Sequence, residues 1–387
     1  MRRVAEVTFR PDLQALRGLA CCAVLIGHGY VFTSALKADW PDSAGWQVAH
    51  FMVSGLLNPQ PAVLVFLALS GYVLGCQLEL SPVRDTSSLL AYYVRRAFRL
   101  LPLMLVSIVF AAILRALLLG PPLFLKSVFI APEVPWLQTI LLQDFRLNAV
   151  LWTLNVEIAA SVVLPAFYLL ASRGSAGLNA LVALLLVPLM WVQEPFFLQF
   201  LIFFYAGLLV PYLPRLSFVD RTPVMVVCGL LSLAVIQWAP DVLAGADRSW
   251  LITQWQGWMW IEPLAVMALL YCIVHNRSAL GLLLERTFLR KIGDISFGIY
   301  LLHLPIMFGL LSLSIHFGFT PDSASLGSTY LFFVIITAIT FVLAVGLAIP
   351  AYRWCELPFM EMGRDLARRI VRRPAMVATA VCSEPSA

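Results

Sequence analysis

Charge is what this sequence has least of. Only 12% of its 387 residues are charged and 61% are hydrophobic, against roughly 25% charged in an ordinary soluble domain. Such a balance excludes a soluble enzyme and describes a polytopic membrane protein. The seven cysteines fall mostly in apolar runs without metal-ligand spacing. They read as small buried residues, so neither a disulfide framework nor a metal site is expected. No internal repeat is visible, and no appended soluble domain is long enough to fold alone. The net charge of +5 points loosely to anionic partners, but in a membrane protein placement matters more than the sum. No nucleic-acid partner is expected. Arg2, Arg3 and Arg10 precede an apolar run as in a signal peptide, yet no small-residue cleavage pattern closes it. The run is read as a retained first span.

Long apolar runs are what the chain does have. Runs near the ~20 residues that cross a bilayer fall at about 14–36, 60–80, 98–118, 148–171, 177–193, 195–213, 223–240, 255–275, 294–317 and 328–353. The expected fold is therefore an all-α polytopic membrane protein of ten transmembrane helices with both termini cytoplasmic. The positive-inside rule supports that orientation. Of the 26 basic residues, only Lys37, Lys126, Arg146 and Arg248 lie in outer loops, with Arg115 near the outer end of the third span. One transmembrane domain over 1–364 is expected, followed by a basic tail over 365–387 that lies on the inner surface and frays into disorder. The outer loops 37–59 and 119–147, with Trp40, Trp46 and Trp136, are expected to hold interfacial or re-entrant structure.

The first span carries two polar groups, Arg17 and His28. Eleven residues at 100° each return the second to the face of the first, roughly 16 Å further along the axis. Two readings are open: a functional pair, since ionisable groups in a bilayer are costly, or a boundary arginine and a histidine that only bonds a neighbouring helix. The fourth span opens with Trp152, Asn155 and Glu157, and the ninth places Ser296, Tyr300 and His303 on one face. Counted from span ends, His28, Glu157 and His303 fall near mid-membrane, which points to one polar cavity. At the inner mouth, Arg95 and Arg99 share a face beside Arg96. They suit bidentate phosphate recognition or serve topology alone. Ser70 and Gly71 are expected to allow close packing of the second span, while Glu79, Arg115 and Glu262 near span ends read as snorkelling groups.

Six stretches in order, LQALRGLACCAVLIGH, FLALSGY, VRRAFRLLPL, LWTLNVE, GDISFGIYLLHLP and YRWCELPF, resemble acyltransferase family 3, the integral membrane O-acyltransferases. The resemblance runs from about 10 to 364. It implies transfer of an acyl group, acetyl above all, from acyl-CoA to a hydroxyl of a carbohydrate or glycosylated acceptor, in a bacterial inner (cytoplasmic) membrane. One departure stands out. The family often follows the fourth-span glutamate with a second acid, a glutamine and an aromatic, whereas Ile158, Ala159 and Ala160 follow here.

On this reading His28 is the general base and Glu157 orients it or offsets its charge. Arg17, Arg95, Arg96 and Arg99 bind coenzyme A phosphates. His303, Tyr300, Ser296, Asn155 and Trp152 face the substrates, and no metal is required. A transporter or flippase of a lipid-linked sugar is the alternative, because mid-membrane His, Glu and Arg groups also serve proton relays.

Overall fold

The computed structural model describes residues 10–36, 43–118, 136–192, 194–217, 221–244, 261–275, 288–322 and 325–372, and among them every regular element is helical. In chain order they are α1 Pro11–Ser34, α2 Ala44–Leu56, α3 Gln60–Leu80, α4 Thr86–Leu117, α5 Trp136–Ile140, α6 Leu151–Arg173 and α7 Ala176–Leu186. There follow α8 Leu201–Leu209, α9 Thr222–Ala244, α10 Ile261–His275, α11 Leu289–Asp294, α12 Ser296–His316, α13 Leu326–Ala351 and α14 Leu357–Arg372. Trp40 and residues 373–387 lie outside the described residues, as do Lys37, Lys126 and Arg248.

Six helical stretches are long and apolar enough to cross a membrane: Pro11–Ser34, Ala44–Leu80, Thr86–Leu117, Leu151–Arg173, Ser296–His316 and Leu326–Val371. The chain is an integral, multi-pass helical membrane protein. Four of the ten expected spans correspond to shorter apolar helices, Ala176–Trp191, Phe196–Tyr212, Thr222–Trp238 and Ile261–His275. Proline explains two of the four. Pro188 and Pro211 cannot donate to an α-helical ladder, and each stands in a 3-10 turn, Val187–Trp191 and Val210–Tyr212, where the chain rises more steeply per residue.

α1 occupies the middle of the bundle, against α3, α11, α12 and α13. Glycine permits its closest approach: a Cβ on Gly18 would strike the Leu289 carbonyl, and one on Gly293 would strike that of Gln14. The same device joins α3 to α8, where Gly71 faces the Phe204 carbonyl and Gly207 that of Ala68. The close packing expected of Gly71 is thus present.

α4 starts well before its apolar run. Asp85 accepts from the Ser88 N–H at 2.8 Å, and Ser88 Oγ accepts from the Asp85 N–H at 3.0 Å. This reciprocal cap carries Arg95, Arg96 and Arg99 into helix rather than loop. α14 lies along α4, with Gly363 against the Phe98 side chain. It therefore continues as packed helix to Arg372, several residues into the stretch expected to fray.

The segment before α6 packs into the bundle. Leu142, Leu147, Asn148, Ala149 and Val150 are all buried, and Asn148 Nδ2 donates to the Leu301 carbonyl, within α12, at 2.9 Å. α6 therefore begins at a buried residue, Leu151.

Candidate active site

A cavity of about 60 Å³ opens between α1, α3, α6 and α12, lined among others by Arg17, Phe66, Ser70, Glu157, Ser296 and Tyr300. Residues from four separate helices thus meet around one space. Arg17, on α1, forms no hydrogen bond or ion pair with the described residues. Ser296 Oγ donates to the Gly293 carbonyl at 2.8 Å, and the Tyr300 hydroxyl meets Thr153 Oγ1 at 3.0 Å. Phe66 and Tyr300 pack edge to face across the cavity, ring centres 6.2 Å apart.

Tyr300 also forms the boundary with a second polar pair. Its ring lies 5.8 Å from that of His303, and His303 Nε2 is 2.9 Å from His28 Nδ1. The two imidazoles are nearly coplanar, with an interplanar angle of 15°, as a hydrogen bond in the plane of both rings requires. His303 is buried at 1% exposure, and its Nδ1 lies 2.7 Å from the Tyr300 carbonyl and 3.2 Å from that of Ile299. His28 is half-buried, and no hydrogen bond to its Nε2 exists among the described residues.

Glu157 is bonded elsewhere than to this pair. Its carboxylate receives Arg96 at 2.7 Å, and the same guanidinium donates from Nε to Ser161 Oγ at 3.1 Å. A count of residues from the bilayer surface puts Glu157 at mid-membrane. In the structure the carboxylate meets Arg96 of α4, and among the described residues it forms no hydrogen bond to His28.

The four arginines divide into two kinds. Arg96 pairs with Glu157, and Arg99 pairs with the buried Glu356 while lying 5.6 Å from the centre of the Phe297 ring. Arg17 and Arg95 have no acidic partner among the described residues. Glu356 belongs to the stretch YRWCELPF, but residue spacing alone gives it no role. Its one signal in the sequence is an acid standing beside apolar residues at the end of a long span.

Asn155 and Trp152 stand apart from the cavity. Asn155 Nδ2 donates to the Leu142 carbonyl at 3.0 Å, and Leu142 has a φ of 57°, a strained region for a branched side chain. Trp152 packs on Phe196 and Phe200 at 5.6 and 5.1 Å between ring centres. Both hold structure, and neither faces Arg17 or Glu157.

No curated protein and no solved structure matches the chain. Residues 10–349 match the sequence profile of an acyltransferase domain, which covers α1 through nearly all of α13 and includes every cavity-lining residue named above. The chain belongs to acyltransferase family 3.

Proposed function

We propose that this membrane acyltransferase moves an acyl group, most simply acetyl, from acyl-CoA to a hydroxyl of a carbohydrate or glycosylated acceptor. The observation that carries the reading is the pairing, on one face of α1, of a guanidinium with a histidine Nε2, neither of which has a hydrogen-bond partner among the described residues. Their separation, roughly 16 Å along the helix, is comparable with an extended pantetheine arm between phosphate and thioester.

Arg17 receives a coenzyme A phosphate, with Arg95 as the second unpaired cation at the same end, because guanidinium suits phosphate oxygens. Arg96 and Arg99, already neutralised by Glu157 and Glu356, shape the mouth more than they add charge. His28 Nε2 accepts the acceptor's hydroxyl proton as the oxygen bonds to the thioester carbonyl carbon. The C–S bond then breaks, and the imidazolium returns the proton to the leaving thiolate, giving ester and free coenzyme A thiol. Tyr300, between cavity and histidine pair, is positioned to contact the thioester carbonyl.

On this reading the four shorter apolar helices also span, giving ten spans with both termini cytoplasmic in a bacterial inner membrane. The arginine-bearing end then faces the cytoplasmic pool of acyl-CoA. Release of free thiol by purified protein, dependent on acyl-CoA and acceptor, is the test. A transporter or flippase would move a lipid-linked sugar without releasing thiol.

A further inference from the structure

The hydrogen bonds around His303 settle which nitrogens carry protons. A backbone carbonyl only accepts, so His303 Nδ1, at 2.7 Å from the Tyr300 carbonyl, bears a hydrogen. The ring is buried at 1% exposure and no carboxylate bonds to it among the described residues. An uncompensated charge would be costly there, so the ring is neutral and its Nε2 carries a lone pair. His28 Nδ1 must therefore be the donor across the 2.9 Å contact, which leaves Nε2 of His28 unprotonated. Carbonyls at i−3 and i−4 of α12 thus specify, through one imidazole, the tautomer of another on α1.

We infer that His303 is a positioning residue: it holds His28 in the tautomer whose Nε2 can accept a proton, the part an aspartate plays in serine-type triads. This rests on the proposed function and adds a component to it. A neutral partner differs from an aspartate in one respect. It orients the base without fixing a negative charge in the apolar centre of the bundle, where such a charge is costly. Both ring nitrogens of His303 are engaged, so its edge is not available to bind acceptor.

Two substitutions separate this role from packing or binding. His303→Leu fills similar space but accepts no hydrogen bond, whereas His303→Gln can present Oε1 near the place of Nε2. In steady-state thiol-release kinetics, His303→Leu is expected to lower kcat by roughly 10²–10⁴ with the KM for acetyl-CoA unchanged. His303→Gln is expected to stay within about tenfold of wild type, a loss of under ~1.4 kcal/mol. Unchanged kcat in His303→Leu, a change confined to KM, or equal losses in both variants would each overturn the inference. Should His303→Leu not fold, 15N NMR of histidine-labelled wild-type protein decides. The five histidines are few enough for a His28→Asn spectrum to identify the His28 signals. Nδ1 of His28 is expected protonated and Nε2 bare, and the opposite pattern would overturn the assignment. Absence of acyl-CoA-dependent thiol release by the wild-type protein would instead remove the proposed function itself, so the two failures are distinguishable.

Discussion

Arg96 of α4 and Glu157 of α6 form a partly buried ion pair at 2.7 Å, with the arginine's Nε held by Ser161. Their side chains are 15% and 21% exposed, so each charge depends on the other for much of its stabilisation. Removing one leaves its partner uncompensated. Glu157→Gln or Arg96→Met alone is expected to destabilise the protein by about 1–3 kcal/mol. The double variant Arg96→Met with Glu157→Gln should cost less than the sum. Thermal unfolding in detergent over the complete cycle measures that coupling, and additivity would show that the pair contributes nothing specific.

His28→Ala removes the proposed base while leaving α1 packed through Gly18, Val24 and Leu25. Thiol release at wild-type abundance is expected to fall by at least roughly 10². Retention of activity would take His28 out of the chemistry.

Among the described residues Arg17 has no hydrogen-bond or ion-pair partner to strand, so its loss is expected to act on donor binding rather than on stability. For Arg17→Ala we expect the KM for acyl-CoA to rise about 10- to 100-fold while kcat changes little, the signature of lost uniform binding. Arg17→Lys should recover part of the loss, because it restores charge without the bidentate fork. Equal KM values for wild type and Arg17→Ala would leave the arginine a topological role only.

Asn155 supports the segment before α6 through the Leu142 carbonyl and does not line the cavity. Asn155→Ala is expected to lower the unfolding midpoint by an amount equivalent to about 1 kcal/mol, with acceptor KM unchanged in the folded fraction. A rise in acceptor KM without loss of stability would return Asn155 to the substrate site.

Gly71→Val places a side chain where the Phe204 carbonyl now stands. Overpacking of this kind costs about 1–3 kcal/mol, and because a backbone atom is struck, α3 and α8 must separate. Monodisperse yield and unfolding midpoint should both drop, whereas Gly346→Val, which meets open space, should not.

The helix repeat alone makes α1 legible, because eleven residues bring Arg17 and His28 onto one face. Tyr300 and His303 are visible in the same way. The partner of Glu157 is not, since Arg96 stands on another helix, 61 residues earlier in the chain. The split of the four arginines is equally hidden. Spacing gathers Arg95, Arg96 and Arg99 at one end but carries no record of which acids meet them, and one of those acids, Glu356, comes 257 residues after its partner Arg99. The shorter helices between Ala176 and Tyr212 depart from expectation for a different reason. Their apolar runs are long enough, but prolines interrupt them with 3-10 turns.

The Arg99–Glu356 pair also bears on where the working unit ends. The match to the acyltransferase-domain profile stops at residue 349, yet the acid that neutralises Arg99 is at 356, and a second contact of Arg99, the Met360 thioether, lies further on in α14. A chain trimmed to the similarity boundary would keep every cavity-lining residue and still leave a bare guanidinium at the mouth. Coenzyme A would then meet an extra positive charge with no acid opposite, so apparent donor affinity could improve in a protein whose α4 had lost its supporting helix. Tight binding by such a truncation would therefore be a poor guide to the intact enzyme.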